Sequence, residues 1–470
     1  MATTNGNRKI LDLKRWEFAT PAPASTGAGV LIASSRHFKQ QQLYFTSNTV
    51  HYLYNPSEDG WTQIPSGAFG GTFGAGAAGV ASSIGPTGTA TAGTTTTLTT
   101  NLTLARDLRG YSIHITAGPG AGDTRVIASN TIGANAVITV TSPFSATITT
   151  SSTYRLITPR WYVVSAGTLA ATSFRYYDYA LNTWTSGTNT GLPATLGTDG
   201  KLLSTPSWLD SDYVSFATGT ATSATGTTLV NSGKAWTTNQ WTNYQVRIVS
   251  GTGAGQIRTI SSNTGTTLTV PTWTITPDAT SVYSIEGNDD FIYYMGNGAV
   301  TMYRYSISGN TWTTLSPGVA RAGSPGTGMS GNWIHGVDDA AWTSENAIQN
   351  GKYLYSYRGG GSAALDRYDI AANSWSAITY SPATETFTTG SKHTYNREYI
   401  YSQKDATGRW FRFNLITSEQ DGWNTLLYPN GTAVVGDTCF DVTYKDGATE
   451  IDYIYMVLNS STIMLRQMVI

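Results

Sequence analysis

The residues able to do chemistry are few and scattered. The chain of 470 residues carries five histidines, His37, His51, His114, His335 and His393. None stands in His-x-His or His-Glu-x-x-His spacing, the kind that brings two imidazoles onto one zinc ion. The densest polar run, His335-Gly336-Val337-Asp338-Asp339, reads as a solvated loop, with a metal or sugar site as the alternative. Asp210-x-Asp212 and Asp289-Asp290 read as turn acids and miss the ligand spacing of an EF-hand loop. Glycoside hydrolysis needs two carboxylates facing one sugar bond, and the sequence offers no positive sign of such a pair. Gly359-Gly360-Gly361-Ser362 is not a nucleophile elbow, which needs Gly-x-Ser-x-Gly between a strand and a helix. Gly251-Thr252-Gly253-Ala254-Gly255-Gln256 lacks the Lys-Ser/Thr ending and the following helix of a phosphate loop. The single cysteine, Cys439, lies in the strand-like run Thr438-Cys439-Phe440-Asp441-Val442. It reads as a buried, inert thiol, and no disulfide within the chain is possible. The expectation is a chain with no catalytic residues, no metal and no cofactor, hence not an enzyme.

Composition excludes further classes. The 28 Lys and Arg are matched by 29 Asp and Glu, so the net charge is -1. Duplex nucleic acid demands a positive footprint, and the one basic cluster, Arg8-Lys9 to Lys14-Arg15, is too short to supply it. No apolar run is long enough to span a membrane. The start, Met1-Ala2-Thr3-Thr4-Asn5-Gly6-Asn7, has no apolar core of a signal peptide. Synthesis in a cytoplasm is expected, with export, if any, by other means. With 14 Trp and 28 Tyr the chain has ample aromatic surface to bury and is not disordered.

What positions these residues is a repeat. A strand with Arg beside an aromatic is followed by a turn ending in Asn/Gly-x-Trp. It appears as Phe174-Arg175-Tyr176-Tyr177-Asp178 with Asn182-Thr183-Trp184, and as Tyr303-Arg304-Tyr305 with Asn310-Thr311-Trp312. It returns as Asp366-Arg367-Tyr368-Asp369 with Asn373-Ser374-Trp375, and more loosely as Phe411-Arg412-Phe413-Asn414 with Gly422-Trp423. Trp61 and Met464-Leu465-Arg466 supply partial copies. Strands of the form aromatic-Ile-Tyr precede them at 43–45, 161–164, 291–294, 353–355, 399–401 and 453–455. Almost nothing reads as helix; Trp342–Ala347 is the best candidate. Periodic aromatic signatures in a strand-rich chain predict a β-propeller, here of six blades. The last repeat has no outer strand before Ile470, so the segment Leu11–Phe18, with its own Trp16, is expected to complete that blade and close the ring. Recurrence in every blade makes Arg175, Trp184, Arg304, Trp312, Arg367, Trp375, Arg412, Trp423 and Arg466 structural: the indoles bury apolar faces and the guanidinia stack on rings.

Two stretches are too long for one blade. Gly110-Tyr111-Ser112-Ile113-His114-Ile115 to Arg125-Val126-Ile127 matches Asn243-Tyr244-Gln245-Val246-Arg247-Ile248 to Arg258-Thr259-Ile260, with Tyr244 and Tyr111 separated by 133 positions like every other pair in the run. Each copy is a small β-domain, at 88–157 and 219–287. The domain reading is therefore propeller at 1–87, 158–218 and 288–470, interrupted by the two modules in blades 2 and 3. The strands before them are expected at 77–82 and 212–216, so both modules should share one fold and leave one rim of neighbouring blades. Trp236, Trp241 and Trp273 of the second module are candidate interaction residues through ring stacking, with core packing as the plain alternative.

The signature Arg367-Tyr368-Asp369 with Asn373-Ser374-Trp375 resembles the kelch family of propellers. Gly359-Gly360 matches that family's paired glycines, which most other repeats here lack. Ser232-Gly233-Lys234-Ala235-Trp236, Trp241-x-Asn243-Tyr244 and Gly251 to Arg258 resemble small β-modules of tailed-bacteriophage tail, fibre and appendage proteins. That resemblance implies a structural virion component, tail-associated, assembled in the bacterial cytoplasm, whose partners are other virion proteins and copies of itself. A carbohydrate-binding, receptor-recognition module with a host surface glycan as partner is the alternative.

Overall fold

The computed structural model describes residues 16–24, 30–33, 41–47, 50–66, 73, 77–165, 173–193, 196, 200–204, 216–327, 329, 332–337, 348–383, 385–389, 391–396, 399–404, 409–415, 417–424, 438–446, 449–457 and 462–469. None of these is helical, and no helix among them is long and apolar enough to cross a membrane. The stretch 342–347 and residues 338–339 lie outside the described residues, as do His37, Asp210 and Asp212.

Six sets of four antiparallel strands follow one meander. The first is Val30–Ala33, Leu43–Ser47, Val50–Asn55 and Gly60–Ile64; the second is Ala78–Thr89, Thr153–Val164, Phe174–Asp178 and Thr183–Ser186. The third is Lys201–Ser204, Phe291–Met295, Met302–Ser306 and Thr311–Thr314; the fourth is Asn332–Val337, Ile348–Gly359, Ser362–Asp369 and Ser374–Ile378. The fifth is Lys392–Asn396, Tyr399–Gln403, Trp410–Asn414 and Glu419–Asn424. The sixth is Thr438–Asp446, Thr449–Val457, Met464–Val469 and, from the other end of the chain, Glu17–Ala19. The first strand of each set neighbours the first strand of the next, and the sixth returns to the first. Among the described residues no ladder of hydrogen bonds joins one set to another, and the ring is not a closed sheet. This is a β-propeller.

The sets hold together because each buries apolar faces against both neighbours. Phe45 and Tyr54 of the first pack with Tyr455 and Val457 of the sixth. Tyr162 and Phe174 of the second pack with Ile292 and Tyr305 of the third, and Trp410 of the fifth with Ile454 and Leu465 of the sixth. A strand sandwiched in this way becomes apolar throughout, which is why Phe291–Met295 is buried at every position.

The repeat has a common local cause. Asn182, Asn310 and Asn373 take left-handed φ values of 53°, 47° and 47° in the turn before the outer strand, a conformation that Asn tolerates better than most residues. The side-chain oxygen of each accepts a hydrogen bond from a tyrosine five residues earlier: Tyr177 at 2.5 Å, Tyr305 at 2.8 Å and Tyr368 at 2.6 Å. Asp59 plays the same part for Tyr54. The tryptophan two residues after the turn then reaches the preceding set. Trp61 donates to the Thr20 carbonyl at 3.2 Å, Trp184 to Pro65 at 2.9 Å and Trp312 to Thr188 at 2.9 Å. The arginine stacks diagonally on the first ring of the neighbouring strand: Arg304 on Phe291, Arg367 on Tyr353, Arg412 on Tyr399 and Arg466 on Tyr453, at 4.1, 4.3, 4.6 and 5.3 Å.

One expected strand is displaced. The first strand of the third set is Lys201–Ser204, paired with Ile292–Met295, and not the run at 212–216. Residues 212–215 lie outside the described residues, and Phe216 bonds to Ile285 inside the second module. Leu202 and Leu203 of this strand are buried with the aromatic second strand.

Candidate functional site: the junction of two β-modules

Residues 90–152 lie between two strands that pair with each other in the second set, Ala78–Thr89 and Thr153–Val164. Residues 217–286 lie between the paired strands Lys201–Ser204 and Phe291–Met295 of the third. Both modules, A and B, thus occupy the connection between first and second strands of adjacent sets.

Equivalent residues do equivalent work in both. Asn130 accepts from the Leu108 amide and Asn263 from the Trp241 amide, both at 2.7 Å. Asp123 accepts from the Ser145 amide at 2.6 Å, and Gln256 from the Thr274 amide at 2.7 Å. Tyr154 meets Asn101 and Tyr283 meets Asn231, both at 3.0 Å. The glycine turn is left-handed at the same three places: φ is 77°, 80° and 91° at Gly118, Gly120 and Gly122, and 79°, 79° and 87° at Gly251, Gly253 and Gly255. These bonds and turns match pairwise in the two copies, and Asp123 and Gln256, which differ in charge, both serve their own module internally.

The candidate interaction residues do not converge on a surface. Trp241 and Trp273 are buried in the core of module B, Trp273 donating to the Thr228 carbonyl at 3.2 Å. A buried indole has no face to offer a sugar, so core packing accounts for both. Trp236 is half-buried over Tyr283. Arg175, Arg304, Arg367, Arg412 and Arg466 sit in different sets and do not meet. Trp184 is half-buried, Trp312 and Trp375 are buried, and the Trp423 side chain lies outside the described residues. So does the side chain of Cys439.

What the structure does bring together is the pair of modules themselves. Ile113 and Ile115 point into the core of module A, so His114, on the alternate side of the strand, points outward. Val246 and Ile248 likewise leave Arg247 on the outer face of module B. Both outward faces are nevertheless covered: His114 is fully buried, and Glu286 and Asp289 nearly so. The two modules meet beside these faces. The turns abut through Gly122 and Gly255, where a Cβ built on Gly255 would lie 2.3 Å from the Gly122 nitrogen. Arg155, cross-strand neighbour of His114, reaches Asp289 at the root of module B at 3.1 Å. Arg247 forks onto Glu286, its Nε at 3.0 and 3.1 Å from the two carboxylate oxygens. Burial and the nearby Arg155 and Arg247 push the His114 imidazole down to about 3, while its Nδ1 lies 2.9 Å from the Thr124 hydroxyl.

Each module is also seated on the ring. Arg106 donates to Tyr177 at 2.8 Å and to Asn182 at 3.0 Å, tying module A to the repeat turn of its own set. Arg304, itself a repeat arginine, donates to Asn243 of module B at 2.9 Å. The signal for the junction was present in the sequence as His114 and Arg247 at equivalent positions opposite apolar faces. Nothing there said that these polar faces are buried.

Among the described residues no group of three or more His, Cys, Asp or Glu is arranged to hold a metal ion. The buried carboxylates of Asp178, Asp366, Glu286 and Asp289 are each held by an arginine.

No family model matches the chain, and no curated protein matches it. Among solved structures it is similar to a chain in the crystal structure of a mitotic checkpoint complex, with TM-score 0.35, 9% identity, 97% of this chain and 94% of the other covered. It is also similar to the six-bladed β-propeller lectin of Aleuria aurantia, described with a fucose recognition mode, with TM-score 0.36, 10% identity and 97% of each chain covered. At such scores the reading of the fold rests on the strand order above.

Proposed function

We propose that the chain is a non-enzymatic structural component of a tailed-bacteriophage virion, tail-associated, in which a kelch-like propeller is the platform and the paired modules are a rigid docking element for other virion proteins or further copies of the chain. The observation that supports this best is the junction. The two modules abut at their glycine turns, are tied by Arg155 to Asp289, and are fastened to the ring by Arg106 and Arg304. Rigid, pre-ordered elements lose little entropy on assembly, which suits a scaffold. The carboxylates best placed for chemistry by burial are occupied in ion pairs, so the reading requires no reaction. The likeness of Trp241-x-Asn243-Tyr244 and Gly251 to Arg258 to phage modules supplies the virion context. Mass spectrometry and electron microscopy of purified particles test it: the chain should be present at a fixed copy number, with the ring visible. A chain absent from washed particles overturns the proposal. The glycan alternative rests on Trp236, the one module tryptophan of the three with an accessible ring, and a glycan array without signal removes it.

A further inference from the structure

We propose that Arg321, Asp366 and Arg358 form an oxyanion site in the fourth set, open at Arg358 to one carboxylate or phosphate group. The site stands at the end of the ring strands away from the modules. Both modules fill connections between first and second strands. Gly359-Gly360-Gly361, directly after Arg358, joins the second strand of the fourth set to its third. In an antiparallel meander these two kinds of connection lie at opposite strand ends. Arg321 comes from the connection between the third and fourth sets, which runs beside the outer strand. There the Trp375 amide donates to the Val319 carbonyl at 2.9 Å, and the Arg321 guanidinium lies 4.9 Å from the centre of the Trp375 ring.

Charge and access carry this assignment. Arg358 forks onto Asp366, Nε donating to Oδ2 at 2.8 Å and Nη2 to Oδ1 at 2.7 Å. Arg321 donates from Nε to the same Oδ2 at 2.7 Å, and from Nη2 to the carbonyl and hydroxyl oxygens of Ser356 at 3.1 and 2.9 Å. Asp178, Glu286, Asp289 and Glu385 each pair with one cation, whereas Asp366 pairs with two. Neither arginine makes a further ion pair among the described residues. Two guanidinia against one carboxylate leave one positive charge over. An uncompensated charge with little water around it is costly, so it favours a counter-ion. Exposure decides where that ion can approach: the side chains of Arg321 and Asp366 are 1% and 2% exposed, that of Arg358 19%. The fork leaves Nη1 of Arg358 facing Gly323, where a built Cβ would lie 3.2 Å from it. A glycine there leaves this edge of the guanidinium without a side-chain wall. A carboxylate or phosphate supplies the acceptor oxygens that a guanidinium edge requires.

The test is equilibrium dialysis of the full chain at fixed ionic strength, with radiolabelled inorganic phosphate in one arm and radiolabelled acetate in the other. The expected result is saturable uptake of one anion per chain. Uptake in the phosphate arm alone assigns a phosphate ligand, and uptake in the acetate arm assigns a carboxylate ligand. Arg358→Gln should weaken that uptake about tenfold or more, the loss expected for a hydrogen bond to a charged group. Gly323→Asp brings a carboxylate of the chain itself within reach of Nη1. It should abolish uptake and raise the melting temperature in buffer free of both anions. Circular dichroism checks that each variant keeps its fold. No saturable uptake in either arm overturns the proposal and leaves the three residues a structural ion network. Uptake that Gly323→Asp leaves unchanged also overturns it, because the anion then binds elsewhere. Should Arg358→Gln fail to fold, Gly323→Asp decides.

Discussion

Replacing Gly255 by alanine tests whether the modules are in fact held backbone to backbone. Two costs arise. The first is conformational: at φ 87° a Cβ meets its own chain, costing about 1–2 kcal/mol. The second is steric: the added Cβ would sit 2.3 Å from the Gly122 nitrogen and 2.7 Å from the Ala121 carbonyl carbon, both backbone atoms that cannot rotate away. Relieving that overlap moves one module by about 1 Å and costs roughly 1–3 kcal/mol, the range for overpacked sites. Gly298→Ala is the matched control, with φ 81° and nothing within 4 Å of the built Cβ. Gly122→Ala is intermediate, its Cβ 3.1 Å from the Gly255 nitrogen. Urea unfolding followed by tryptophan fluorescence, with hydrogen exchange of the module segments, should rank the losses Gly298→Ala, then Gly122→Ala, then Gly255→Ala. If Gly255→Ala costs no more than Gly298→Ala, the abutting turns are not a contact and the paired-module reading fails.

Three further outcomes are expected. His51 is fully buried against Tyr44 at 2.7 Å, and burial lowers it to about 4. The ring therefore gains stability that is complete above about pH 6.5 and is lost as pH falls towards 4. The loss is about 3 kcal/mol in all, read as a falling urea midpoint that His51→Gln flattens. Asn310→Ala should cost about 2–4 kcal/mol, losing the left-handed turn and the bonds from Tyr305 and the Thr188 amide, whereas Asn310→Gly should recover the conformational part. Deleting residues 1–20 removes the outer strand Glu17–Ala19 from Met464–Arg466 and the carbonyl that receives the Trp61 indole. Calorimetry should show a lower transition for the whole ring, and an unchanged melt would refute that role for the N-terminal strand.

Much of the ring was legible in the sequence because its devices are local. A tyrosine, an asparagine or aspartate five residues on and a tryptophan two residues after that are tied together by one turn, so their spacing recurs in the first four sets, whereas the fifth has Phe413, Ser418 and Gln420 at those places. The six aromatic second strands were found at their sites for the same reason, and Lys201–Ser204 was missed because first strands carry no such mark and the strand-like run at 212–216 lies nearer the second module. The duplication of the modules was legible because glycines at three left-handed positions cannot be replaced freely. Tertiary structure decided what covers what. Trp241 and Trp273 look alike as binding or core residues until the module closes over them. His114 and Arg247 are polar residues on the outer faces of strands, and alternation alone assigns them to solvent. The tertiary structure instead buries His114 and leaves Arg247 half-buried on Glu286, with the two glycine turns in contact.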